Sequence, residues 1–170
     1  MRTVQNQSDF DEIYRLYAGD LYRFLLRLCG NEHLAMDILQ DTMLKAFTDI
    51  DKFKGECAMK TWLCAIARNL YRDHLKKAEN RNLPLDESWE IPDSDDIEQQ
   101  IADRDTALRI HRLLHRLDEP YKEIFSLRVF AELKFSEIGA LFGQSENWAR
   151  VSFFRAKKKI LTMMAEEDAL

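Results

Sequence analysis

Glycine and proline are scarce in this chain, five and three among 170 residues. Few turns can therefore be built on special backbone residues, which favours a mostly helical protein. No apolar run approaches the ~18 residues of a membrane span. The opening MRTVQNQSDFDEIY has no apolar core of the kind a secretory signal needs. Cysteine is rare as well. Cys29, Cys57 and Cys64 are an odd number without CxxC or Cys/His metal spacing. Reduced thiols in a cytoplasmic protein are the expectation. A nucleophile–base pair, a glycine-rich phosphate loop and a metal cluster are all missing, so neither an enzyme nor a cofactor is expected. His111 and His115 stand four apart on one predicted helix without a third ligand, and packing or surface roles are favoured over a metal.

What is present is charge, unevenly spread. The formal net charge is −5, which by itself speaks weakly against nucleic acid. Residues 86–105, however, hold nine acids and one base, a net of −8. The other 150 residues therefore sum to +3, and the flanks are free to be locally basic. The acidic stretch NLPLDESWEIPDSDDIEQQ contains two of the three prolines and little apolar periodicity before Ile97. Residues 82–97 read as an extended acidic linker between two helical domains, 1–81 and 98–170. Leu85, Trp89 and Ile91 within it are apolar enough to dock, since Trp is costly to leave in water, and a Trp89 packed on its own domain is an equal alternative.

The fold class is all-α. Phe10, Ile13, Tyr14, Tyr17, Leu21, Phe24, Leu25 and Leu28 keep steps of three and four, predicting a first helix capped by Ser8 and ended at Gly30-Asn31. Further helices are predicted over 32–50, 59–78 and 97–117. Next comes LDEPYKEIF, with Asp118 as N-cap and Pro120 in the first turn, where its missing N–H costs little. SEIGALFG is a short helix capped by Ser136 and ended by Gly143, and the last helix starts at Ser145.

Two short helices joined by FGQS match a helix-turn-helix, with small Gly139 facing the partner helix. The second helix of such a unit lies in the major groove with its N-terminal residues at the base edges. Residues 145–160, SENWARVSFFRAKKKI, carry five cations and one acid. Ala149, Phe153, Ala156 and Ile160 fall on one face and should be core. Glu146, Asn147, Arg150 and Phe154 fall on the other, where cations neutralise phosphates and Phe154 can meet thymine methyls or sugars. For Lys157, Lys158 and Lys159, a solvated helix end favoured by the helix dipole is an equal alternative.

SENWARVSFFRAKKKI resembles the final helix of extracytoplasmic-function (ECF) sigma factors, the compact group of the sigma-70-like family. The preceding LDEPYKEIFSLRVFAELKFSEIGALFGQ resembles the rest of that family's domain four. LAMDILQDTMLKAF, residues 34–47, is similar to its core-polymerase-binding helix, and FKGECAMKTWLCAIARNLYRDHLKK, residues 53–77, to its promoter-melting segment. The resemblance covers nearly the whole chain in the right order. The chain departs from it at Trp148, where the family often has a small residue, at Ser152, where it has Arg, and at Phe153 and Phe154, where Leu and His or Tyr are usual.

The resemblance implies an initiation factor without an active site that redirects core RNA polymerase to particular promoters. Domain two would bind polymerase and melt the minus-ten element. Domain four would read the minus-thirty-five element. In residues 34–47 the polar face carries Asp37, Gln40, Asp41, Thr42 and Lys45. Asp37, Gln40 and Asp41 would pair with arginines of the polymerase clamp coiled coil, and domain four with the flap. In the loop, Lys54, Gly55, Glu56 and Cys57 would hold a flipped non-template base with Lys60 and Thr61. Lys60, Arg68, Arg72, Lys76 and Lys77 would mostly track phosphates, and Asn69 would lie near the melted base. Trp62 is placed both for base stacking and, with Ile66, Leu70 and His74, in a core stripe, the latter being favoured. Upstream contacts would come from Ser145, Glu146, Asn147, Arg150, Phe154, Arg155 and Lys158. The linker would enter polymerase near the template-strand path. An anti-sigma factor is the implied regulator. A stand-alone helix-turn-helix regulator would leave the N-terminal half unexplained, and a helical adaptor would leave the basic helix unexplained.

Overall fold

The computed structural model describes residues 4–81 and 100–170. The described residues form seven α-helices and no strand, divided between two compact units, Met1–Trp89 and Glu90–Leu170. The residues between 82 and 97 read as the acidic linker lie outside the described ones, as does the expected start of the fourth helix at Ile97.

In the first unit, α1 (Val4–Cys29), α2 (Glu32–Asp49) and α3 (Met59–Asn80) pack on one another. Leu21, Phe24, Leu25 and Leu28 of α1 are buried against Ile38, Leu39 and Met43 of α2 and Leu63, Ile66 and Ala67 of α3. The Asn31 side chain accepts the Leu34 N–H at 2.9 Å and caps α2. Phe10 near the start of α1 meets Phe47 near the end of α2, ring centroids 5.0 Å apart, so the two helices run antiparallel. Ser8, expected as the cap of α1, lies inside it and is exposed. The helix runs back through a polar segment that contains no glycine or proline to stop it.

The second unit has α4 (Gln100–His115), α5 (Tyr121–Val129), α6 (Phe135–Leu141) and α7 (Glu146–Asp168). Its core joins Leu113, Leu114, Leu117 and Phe125 to Ala156 and Ile160 of α7. Arg109 clasps the end of α7. Its guanidinium donates to Glu167 (2.8 Å) and to the Met164 carbonyl (2.6 Å) and pairs with Asp168 (2.8 Å). The Glu167 hydrogen bond, then the Asp168 one, raises its pKa further above the ordinary arginine value.

Two expected caps are corrected. Asp118 contributes its backbone carbonyl, which accepts from the Tyr121 N–H at 3.0 Å, and the carboxylate on this helix start is Glu119, which accepts from the Glu123 N–H at 3.3 Å. Ser136 is exposed within the first turn of α6, and Lys134 takes the cap position. There the Glu137 carboxylate reaches back to the Lys134 N–H at 2.8 Å. A glutamate at the third helical position offers the stronger, ionised acceptor.

The turn between α6 and α7 depends on Gly139. A Cβ there would stand 2.6 Å from the Ser145 carbonyl oxygen and 2.9 Å from that of Gln144. The Gln144 N–H donates to the Gly139 carbonyl at 2.8 Å across the same approach. Gly139→Ala is expected to destabilise the second unit by about 1–3 kcal/mol, because only backbone could yield. Gly19 in α1 has nothing within 4 Å of a Cβ, so Gly19→Ala should stabilise the first unit by about 0.5–1 kcal/mol. Urea unfolding followed by far-ultraviolet circular dichroism checks both, and shifts of the same sign would contradict the contrast.

Candidate functional site

Three surfaces expose candidate residues, two on the first unit and one on the second. The first is the outward face of α2. Ala35, Ile38, Leu39, Met43 and Ala46 are buried, which turns Asp37, Gln40, Asp41 and Lys45 to solvent. Thr42, expected on the same polar face, is fully buried, and its hydroxyl donates to the Ile38 carbonyl at 2.6 Å. A threonine can satisfy its hydroxyl on its own helix and so tolerate burial. Met36 and Leu44 are 39% and 65% exposed and bracket Gln40 at four-residue steps. This apolar pair amid acids was not singled out in the sequence. The signal was that both lie off the stride of Ile38, Leu39 and Met43.

The second surface is the α2–α3 connection and the outer face of α3. After a 3₁₀ turn, Ile50–Lys52, the loop carries Lys54, Gly55, Glu56 and Cys57 exposed. Gly55 has φ +71°, with open space around it, so the backbone there is accessible as well as left-handed. Phe53 anchors the loop, its ring centroid 5.1 Å from that of Trp62. Trp62 is half-buried, and the core stripe expected through it is corrected: only Ile66 is buried, Leu70 is half-buried and His74 is exposed, because the buried side of α3 runs through Thr61, Cys64, Arg68 and Tyr71 instead. Lys60 is half-buried and reaches Asp20 of α1 at 3.9 Å. Asn69 and Arg72 are exposed, followed along α3 by Lys76 and Lys77.

Two expected contact residues are corrected here. Thr61 is 3% exposed and Arg68 7%, so neither belongs to the open surface of this unit. The reason is periodic: Thr61, Cys64, Arg68 and Tyr71 follow steps of three, four and three, and all four are buried. Charge groups Arg68 with α3's other cations, whereas its position on the helix assigns it to the core face.

The third surface is on α7. The Ser145 hydroxyl accepts the Trp148 N–H at 3.0 Å and starts the helix. Ala149, Ser152, Ala156 and Ile160 are buried behind it. Glu146, Asn147, Arg150, Phe154, Arg155 and Lys158 are exposed, Phe154 by 54%. Val151, 38% exposed, joins this face. Phe153 is half-buried, stacked on Phe125 at 5.7 Å. Arg150 pairs with Glu146 at 2.9 Å and lies over the Phe135 ring, 5.4 Å from its centroid. Trp148 turns away onto Phe142, ring centroids 5.3 Å apart. Lys159 lies over the Tyr121 ring at 5.3 Å, and Lys157, Lys158 and Lys159 are all exposed; the helix end expected for them is corrected, since α7 runs on to Asp168 and has no basic residue in its last turn. A groove of about 380 Å³ beside α7 is rimmed by Arg116, Arg155, Lys158 and Lys159 over Leu117 and Met163.

The histidine pair divides. His111 is buried and stacked on Phe130 at 5.3 Å, and His115 is half-buried. Among the described residues, no group of three His, Cys, Asp or Glu side chains could hold a metal ion, and no helix is long and apolar enough to cross a membrane. Cys57 is exposed, Cys29 half-buried and Cys64 buried.

Known proteins resemble this chain in sequence and in fold. The Sigma-70 region 2 profile matches residues 13–81, and the Sigma-70, region 4 profile matches residues 107–160. The chain is 30% identical to the RNA polymerase sigma factor CarQ of Myxococcus xanthus, over 94% of this chain and 91% of that one. It is 28% identical to the ECF RNA polymerase sigma factor SigM of Bacillus subtilis, over 88% and 91%. Its fold is similar to the sigma factor RpoE solved with the anti-sigma factor NepR from Bartonella quintana, with a TM-score of 0.75 and 21% identity over 92% of this chain and 97% of that one. It is also similar to CnrH solved with the cytosolic domain of CnrY, with a TM-score of 0.70 and 21% identity over 94% and 90%. With both sigma regions in order and relatives spanning nearly its whole length, the chain belongs to the ECF group of sigma-70-like factors and acts in transcription initiation.

Proposed function

We propose that this sigma factor divides its work among the three surfaces. The exposed face of α2, with Asp37, Gln40, Asp41 and Lys45, docks on the clamp coiled coil of core RNA polymerase. Charge-assisted hydrogen bonds from clamp arginines to the carboxylates supply direction, and Met36 and Leu44 add apolar contact. The loop carrying Lys54, Gly55, Glu56 and Cys57 captures a flipped base of the minus-ten element, so that binding offsets unstacking. Asn69 and Arg72 lie along the strand it leads to. The outer face of α7 reads the minus-thirty-five element, with the second unit held by the polymerase flap. Each contact alone is weak, and tethering both units on one polymerase raises their effective concentration.

The boundaries that go with this reading are domain two at 1–81, the acidic linker at 82–97 and domain four at 98–170. The factor works in the cytoplasm, carries no active site or cofactor, and lends recognition to the polymerase's own chemistry. An anti-sigma factor is the proposed regulator, and the two sigma folds solved with such partners support that class of partner. The observation that carries the reading is the outer face of α7. An overall acidic chain there exposes Asn147, Arg150, Phe154, Arg155 and Lys158 together on the second helix of a helix-turn-helix.

Two substitutions test it. Asp41→Arg is expected to weaken holoenzyme formation about tenfold or more, with unchanged circular dichroism, because it sets like charges against each other. Wild-type co-elution with core polymerase would remove α2 from the interface. Arg150→Ala is expected to cost about 1–3 kcal/mol in promoter binding, concentrated at one upstream base pair. A uniform loss across sequences, with a salt slope smaller by about one, would make Arg150 a phosphate contact instead.

A further inference from the structure

Arginine reads a base by presenting in-plane N–H donors to its edge, and a long side chain that is not held beforehand loses its rotamer freedom on docking. Arg150 is held already, in two different ways. Its guanidinium donates to Glu146 Oε1 at 2.9 Å. That pair is exposed on both sides, 45% and 54%, so it is readily exchanged for another acceptor. The guanidinium carbon also lies 5.4 Å from the centroid of the Phe135 ring. The two contacts differ in what they use. The carboxylate occupies in-plane donors, whereas a ring engages the face and leaves the donors free.

Phe135 is itself fixed. It is the first residue of α6 and is half-buried. Arg128 lies over the same ring at 4.5 Å and is anchored by donating to the Leu133 carbonyl at 2.9 Å. The Phe135 ring packs on Phe153 at 5.6 Å, which stacks on Phe125 in the core. A continuous series of rings therefore runs from the core of the second unit to the underside of Arg150.

We propose that Phe135 is a positioning residue for promoter recognition: its ring, fixed by Phe153 and Arg128, holds Arg150 so that Glu146 can be exchanged for a base edge without the guanidinium moving. The inference rests on the assignment of α7 to upstream DNA. It makes specificity at one base pair depend on a side chain that stands on α6.

The test uses holoenzyme assembled from the full chain and core polymerase, on a promoter at which the chain initiates and on that promoter's single-base upstream variants. Initial transcription rates give a discrimination ratio at each position. Phe135→Leu and Phe135→Met both keep apolar bulk and remove the ring, so one folded variant suffices. The expected result is a two- to fivefold drop, about the strength of an exposed cation–π contact, confined to the base pair where Arg150→Ala has its effect. The salt slope should stay as in the wild type. Phe135→Tyr, which keeps the ring, should restore the ratio. In an Arg150→Ala background, loss of the ring should change that ratio no further.

Equal losses at every position, or a full additional loss in the Arg150→Ala background, would overturn the proposal and leave Phe135 as packing alone. So would an unchanged ratio in the ring-less variants while Arg150→Ala loses discrimination. Wild-type discrimination in Arg150→Ala itself would instead overturn the base-reading role of Arg150, and the inference with it.

Discussion

The rotation of each surface helix about its own axis is fixed by what it buries, and the faces it leaves exposed follow from that. On α7 the buried set is Ala149, Ser152, Ala156 and Ile160, and three of the four are small. Small residues let the helix sit close against its unit, and steps of three and four keep them on one side. The other side is then obliged to show Asn147, Arg150, Val151 and Phe154. Gly139 serves the same constraint from α6. Without a Cβ it lets the turn close at Ser145, where the α7 cap begins. The same logic on α2 buries Ile38, Leu39 and Met43 and presents the carboxylates of Asp37 and Asp41.

Electrostatics act within this frame. The net charge is −5, yet residues 145–160 hold five cations and one acid, while residues 86–105 hold nine acids and one base. A nucleic-acid surface therefore needs only a local excess of cations, and the average over the chain is a poor guide to it. The cations are also not equivalent. Arg150 is held by Glu146 and Phe135, Lys159 by Tyr121, and Arg109 ties the end of α7 to α4. Charge along the sequence groups them together, and packing gives each a different set of contacts.

That difference marks how much was legible in the sequence. Steps of three and four marked the first and last helices, cap and turn signals placed the others, and the start of the last helix at Ser145 and the close approach at Gly139 followed from residue type and position. The exposed face of α7 was readable because Ala149, Ala156 and Ile160 define its opposite. The same periodicity was available on α3, where Thr61 and Arg68 fall in the stride of Cys64 and Tyr71 and are buried. Their residue chemistry suggests surface contacts, but their position on the helix decides, and the same holds for Thr42 on α2. Ser8 and Ser136 show the limit of cap signals, since serine is tolerated inside a helix and a nearby glutamate can supply the stronger acceptor. The ring series from Phe125 through Phe153 to Phe135 joins three helices, and no spacing along the chain could have revealed it.

The central claim, that these surfaces together direct initiation, is tested most directly by run-off transcription. Fragmented bacterial genomic DNA is transcribed by purified core polymerase with and without the full chain. The account predicts discrete start sites that appear only with the chain and share a pair of spaced upstream elements. Transcription that is unchanged by the chain, together with failure to co-elute with core polymerase, would contradict it.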